Sequence, residues 1–172
     1  SLTPLPIPLQ VHGAEVCFFA MYVQEYGSDC PEPNTNRVYI SYLDSVRYFE
    51  SSPEGHRTTV YHSMLISYLQ YAKDAGYTHA HIWVAPPQAG DEYIFHCHPL
   101  DPRHGTRTMG YQKLRSWYVK MLDTAIEDGI VITDTQQEIQ LANDGMTQTF
   151  GSSSVSGFSS MKIEQFCFTI DY

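Results

Sequence analysis

Apolar positions change period several times along this chain, and each change predicts an element. Residues 1–10, SLTPLPIPLQ, are proline-rich and read as an extended lead-in, assigned to residues 1–14. Val16 to Val23, VCFFAMYV, is a short apolar and aromatic run that suits a buried strand. The loop GSDCPEPNTN follows, and then Arg37 to Leu43, RVYISYL, alternates as a second strand. Residues 50–56 form a polar turn. From Arg57 the period becomes helical. Tyr61, Met64, Leu65, Tyr68, Leu69 and Ala72 fall on one stripe, and Gly76 is the expected stop. His79 to Ala85 is a third strand, closed by Pro86 and Pro87, and Glu92 to Cys97 is a fourth. Beyond a loop over 99–110, Leu114, Trp117, Tyr118, Met121, Leu122 and Ala125 make a second helical stripe that stops at Gly129. Ile130 to Ile132 suits a short strand.

The signal then weakens. TDTQQEIQLAND is at best a poor helix, GSSSVSGFSS reads as a linker, and MKIEQFCFTIDY alternates loosely as a last strand. Residues 133–172 are therefore set apart as a divergent tail. There is no internal repeat. Strands mixed with two strong helical stripes predict an α/β or α+β layered domain.

Length and composition narrow the picture. A chain of 172 residues, 42% hydrophobic, suits one domain with a real core. Its 13 tyrosines bring hydroxyls that need partners, so a partly polar core or cleft is expected. The formal charge of −9 argues against direct nucleic-acid binding and suits either a solvated acidic surface or a cationic partner. Cys17, Cys30, Cys97 and Cys167 form no CxxC pair, and no apolar run is long enough to span a membrane. Free thiols in the cytoplasm or nucleus are the expectation. The chain opens on Ser1, as a piece of a longer protein or a processed chain would.

The densest chemistry is HAHIWVAPPQAGDEYIFHCHP, from His79 to Pro99. On strands, His79 and His81 would share one face, as would His96 and His98. A zinc site would need the two strands to be neighbours, and the usual zinc spacings are absent, so no metal is expected. Cys97 would face away from its flanking histidines, which makes a Cys–His nucleophile a poor reading. GxSxG, GxGxxG and P-loop motifs are missing. The aromatic residues say more. Trp83 stands where a strand must end, and Trp117 and Tyr118 lie on the inner stripe of the second helix. Core packing explains them; so does a ligand channel with one phenol placed for proton transfer.

A run of blocks carries a resemblance: CFFAMYVQEYGSDCPEPN, SYLDS, RTTVYH, GYTHAHIW, PP, YIFHCHP and KLRSWYVKML, in that order. Between about Glu15 and Val131 the chain closely resembles the lysine acetyltransferase domain of the CREB-binding protein family of transcriptional coactivators. The resemblance implies an α/β fold with a central mixed sheet flanked by helices, assigned to residues 15–132. It implies acetyl-CoA as co-substrate, lysine-rich histone tails and transcription factors as partners, and the nucleus as location. By position, Tyr118 would protonate the departing CoA thiolate, and Trp83 would wall the tunnel that receives the lysine. Leu43 and Ser45 would touch the pantetheine, with Asp44 bracing the site through Arg57. Arg57 and Thr58 would hold phosphates at the start of the first helix. Tyr61, Pro87, Tyr93, Leu114 and Trp117 would complete the cofactor wall, and His62 and His81 are fallback proton carriers.

The chain departs from the family pattern in four places. Ala85 stands where a cysteine is expected. Lys113 replaces an arginine, which keeps the charge at the CoA phosphates and loses the guanidinium fork. The loop from Leu100 to Gly110 is longer, and Arg103 or Arg107 would compensate there. After Val131 the family's acidic and autoacetylation segments are not found, so the domain is expected to be truncated on its C-terminal side. Two readings follow: a histone acetyltransferase, or a catalytically incompetent module that only binds acetyl-CoA or a protein partner.

Overall fold

The computed structural model describes residues 2–11, 13–46, 56–87, 91–96, 109–132 and 164–170. Six strands form one mixed sheet: β1 (Leu2–Val11), β2 (Ala14–Tyr26), β3 (Arg37–Ser45), β4 (His79–Val84), β5 (Val131–Ile132) and β6 (Glu164–Ile170), in the order β1-β2-β3-β4-β6-β5. Only β3 and β4 are parallel, and α1 (His56–Asp74) makes the crossover between them. α2 (Tyr111–Glu127) follows β4. The family-level expectation of a mixed sheet with helices is met.

Two expectations need correction. The lead-in is a full strand, paired with β2 over its whole length at the edge of the sheet. Pro4, Pro6 and Pro8 alternate along it, and a strand short of donors on every second residue suits an edge. The predicted strand from Glu92 is not one over residues 91–96. Its backbone donors are used elsewhere: the amides of Ile94 and Phe95 donate to the Asp44 carboxylate at 3.1 and 3.0 Å. Cys97 lies outside the described residues, as do the poor helix, the Gly/Ser linker and Arg103 and Arg107.

Pleating divides β3 and β4 between two environments. Val38 and Ile40 pair in register with Ala80 and Ile82, and all four are fully buried. With Val84 they join Leu65, Leu69, Ala72, Met121 and Ala125 of the helices in one core. Arg37, Tyr39, His79 and His81 alternate with them and face the other way. Two bulges change this phase. Opposite β2, Ser41 is the extra residue between the Tyr22–Tyr42 and Val23–Ile40 pairs, so Leu43 and Ser45 return to the core face while Tyr42 and Asp44 turn from it. Opposite β1, Phe18 is extra between the Ile7–Phe19 and Pro8–Cys17 pairs, which lets Phe18 and Phe19 address the same side. Both stack on Tyr61 of α1, with ring centroids at 6.2 and 5.5 Å.

The helices end alike. Gly76 and Gly129 take φ of +89° and +68°, a region that favours glycine. The next residues close Schellman turns, Tyr77 N to Ala72 O at 3.0 Å and Ile130 N to Ala125 O at 2.8 Å. Lys73 Nζ then donates to the Gly129 carbonyl at 2.8 Å and ties the two ends together.

Candidate active site

Topology gathers the candidate residues at one end of the molecule. β3 and β4 are parallel, so Leu43–Ser45 and Trp83 followed by Pro87 leave the sheet at the same edge. The helix between them runs back, so Arg57 and Thr58 start at that edge too. α2 lies beside α1 and points the same way. His62 and Trp117, each in its helix's second turn, meet with ring centroids 4.3 Å apart, and the C-terminal ends meet at Lys73 and Gly129. Lys113, Leu114, Trp117 and Tyr118 therefore begin where Arg57 begins. In open sheets such strand ends, where the chain leaves for its helices, are the usual seat of ligands.

Chemistry is sorted within this end. The core side carries the apolar wall: Leu43, Tyr61, Leu114 and Trp117 all pack against the buried cluster. Tyr118 is buried, 6% exposed, and its ring meets Trp117 edge-on at 4.9 Å. Burial alone raises its phenol well above the ordinary range, so the hydroxyl stays protonated at neutral pH. Arg57 is half-buried and Thr58 and Lys113 are exposed. Neither helix has an acidic residue in its first turn, and no side chain caps α2 at Gly110. The positive ends of both helices, with one cation each, thus suit an anion.

The opposite side carries the polar set. Trp83 is half-buried and alternates with the buried Ile82 and Val84, which places it with His81. Asp44 is 8% exposed, and its carboxylate binds backbone: Oδ1 accepts from the Ser45 amide at 2.8 Å and Oδ2 from Ile94 and Phe95. Tyr93 is held in the same segment, its hydroxyl donating to Asp91 at 2.9 Å and its ring 6.2 Å from that of Tyr42. Burial and then that bond push its phenol up to about 12. Ser45 and Pro87 are half-buried.

His81, named as a fallback proton carrier, is engaged by neighbours on its own face of the sheet. Arg37 Nη1 donates to its Nε2 at 3.1 Å and its ring stacks on Tyr39 at 4.4 Å. Among the described residues no three His, Cys, Asp or Glu side chains come together for a metal, and no helix is long and apolar enough to cross a membrane. An open depression of about 380 Å³ lies elsewhere, on α1 between Thr59, Val60, Ser63, Met64 and Ser67, and includes none of these groups. Sequence reasoning missed the two bulges, the amide-binding role of Asp44 and the His62–Trp117 contact. His62 was named only as a fallback proton carrier, and no local pattern shows its neighbour across the helix pair.

The comparisons agree on one family. The family described as the histone acetyltransferase domain KAT3 matches residues 9–156, beyond the Glu15–Val131 stretch on both sides. Protein cbp-1 of Caenorhabditis elegans is 49% identical over 137 residues, 80% of this chain. Histone acetyltransferases HAC1 and HAC12 of Arabidopsis thaliana are 49% and 48% identical over 71% and 73% of it. The chain spans only 6% of the cbp-1 length and 7% of each of the other two.

Proposed function

The chain belongs to the KAT3 histone acetyltransferase domain family, and on that premise we propose that it moves an acetyl group from acetyl-CoA to the ε-amine of lysines in histones and transcription factors, in the nucleus. The observation that carries the reading is the buried phenol of Tyr118, at the end where both helix N-termini and both parallel strand ends converge. Acetyl-CoA suits the groups there. Arg57, Thr58 and Lys113 at the helix starts meet its phosphates, Leu43 and Ser45 meet its pantetheine, and Tyr61, Pro87, Tyr93, Leu114 and Trp117 close the wall around it. Trp83 stacks on the lysine stem and orients the amine. The net charge of −9 favours the approach of a lysine-rich tail.

In the transfer, the neutral amine attacks the thioester carbonyl. The C–N bond forms, the C–S bond breaks, the sulfur takes the Tyr118 proton, and the amine loses its own to solvent, from which the phenol is protonated again. A free lysine has a pKa near 10.4, so removing its proton is a standing cost. Burial keeps the Tyr118 donor loaded, and it widens the gap by which a phenol, ordinarily near 10, is a weaker acid than the thiol it forms, ordinarily near 8.5. The push is therefore delivered while charge develops on sulfur, and its contribution sits near the low end for general acids, about 100-fold.

Incubation with acetyl-CoA and histone H3 or H4 tail peptides, followed by mass spectrometry, tests this. Tyr118→Phe is expected to lower transfer about 100-fold while leaving stability nearly unchanged. Equal transfer by the variant, or none above background from folded wild-type protein, sinks the reading.

A further inference from the structure

His62 is a polar residue of this end that the reaction above leaves unused. It sits between the helices, half-buried, its imidazole 4.3 Å from the Trp117 indole at an interplanar angle of 65°. Trp117 in turn meets the Tyr118 ring at 4.9 Å and 83°. The three rings form a chain of edge contacts from α1 to the phenol. The Nε2 of His62 is buried and has no hydrogen-bond partner among the described residues. Leaving a buried nitrogen unsatisfied is unfavourable, a cost that an apolar side chain at this position would avoid. The flat, narrow ring is what fits edge-on between α1 and the indole.

We infer that His62 is a positioning residue: it wedges between the helices, fixes the Trp117 indole and, through it, aims the Tyr118 hydroxyl. This rests on the acetyl-transfer reading for Tyr118. A flat ring at this position is required, and a proton on it is not. The charged group facing it is Lys120 of α2; burial, the larger influence, and Lys120 both lower the imidazole's pKa, against a contact with the Trp117 backbone that raises it.

The test pairs His62→Leu with His62→Phe, each alone and with Tyr118→Phe, in the full chain. His62→Leu is expected to lower kcat about 10-fold or more, and by more than it raises KM for acetyl-CoA through the Trp117 wall, since a small misalignment acts chiefly on the chemical step. His62→Phe restores most of the loss. In the Tyr118→Phe background the same His62→Leu change costs less than about twofold, because the group it aims is gone. Additive losses, an unaffected His62→Leu, or a His62→Phe as poor as His62→Leu overturns the inference. Tryptophan fluorescence supplies a readout that needs no turnover. A protonated imidazole quenches a touching indole, so emission should fall with acid at a midpoint below 6.5, and His62→Phe or Trp117→Phe should abolish that fall. Wild-type protein that lacks transfer but keeps this titration shows that the acetyl-transfer reading has failed and takes the aiming role with it. Active protein without the titration shows that the wedge itself is wrong.

Discussion

The two faces of β3 and β4 are built from alternate residues of the same short strands, yet they behave as different materials. Val38, Ile40, Ala80, Ile82 and Val84 face the helices, and none of them is more than 1% exposed. Nothing on that face titrates. Arg37, Tyr39, His81, Trp83 and, past the Ser41 bulge, Tyr42 and Asp44 occupy the other. There the contacts are directional: guanidinium to imidazole, imidazole stacked on phenol, carboxylate to backbone amide. One face supplies stability through removed apolar area, and the other fixes positions through hydrogen bonds. Strand ends are where the two meet, and the candidate site is there.

Breaking the apolar face should cost most. Ile82→Ala removes a fully buried side chain at the middle of β4 and leaves a cavity, for a loss of about 2–5 kcal/mol. Urea unfolding should show this loss, and it should be the same at pH 5 and pH 8, because no charge is involved. A loss below about 1 kcal/mol would mean that the core relaxes around the gap and that the contrast between the faces is weaker than drawn. Asp44→Asn comes next. It keeps the shape but gives up a carboxylate that accepts three backbone amides, and bonds to charged groups contribute about 1.5–3 kcal/mol. The effect should be local. Hydrogen exchange should quicken at Ile94 and Phe95 while the Leu65 and Leu69 amides keep their protection. Uniform loss of protection would show that Asp44 supports the core as well.

This contrast was half legible in the sequence. The stripes of α1 and α2 and their stops at Gly76 and Gly129 were plain, because helical period and left-handed C-caps are local signals. β2, β3 and β4 were visible as apolar or alternating runs, with ends that differ from the observed ones by a few residues. β1 was not, since its prolines mimic a loop until β2 is there to pair with it. The 91–96 segment misled in the opposite direction: its alternation suits a strand, but a carboxylate 50 residues away takes the amides that a ladder would use. Bulges carry no sequence mark at Ser41 or Phe18, yet they decide which face receives Leu43, Asp44 and Phe18. The position of β6 between β4 and β5 depends on pairing across a long stretch of chain, which periodicity does not encode. For the site, composition suggested no more than an aromatic cleft with a phenol, and the individual roles came from the resemblance.

The smallest expected effect distinguishes the faces by pH. Burial, then Arg37, then His79, lowers the pKa of His81 from 6.5 to about 3. Nε2 must be unprotonated to accept from Arg37 Nη1, so the folded state holds the neutral ring. In the unfolded chain the same ring takes up a proton near 6.5. The unfolded state therefore binds more protons between those values, and stability rises with pH across that window. His81's contribution is complete above about pH 6.5, falls as acid is added, and is spent at about pH 3. The slope from one such group is at most about 1.4 kcal/mol per pH unit, and relaxation of the surrounding side chains makes it less. His81→Phe keeps a ring against Tyr39 and removes the titration. Urea midpoints from pH 7 to pH 4.5 should then fall more steeply in wild type than in the variant, while Ile82→Ala parallels wild type throughout. Parallel curves for wild type and His81→Phe would show that the imidazole protonates in the folded protein, with Arg37 swinging away, and that the polar face is softer than its contacts suggest.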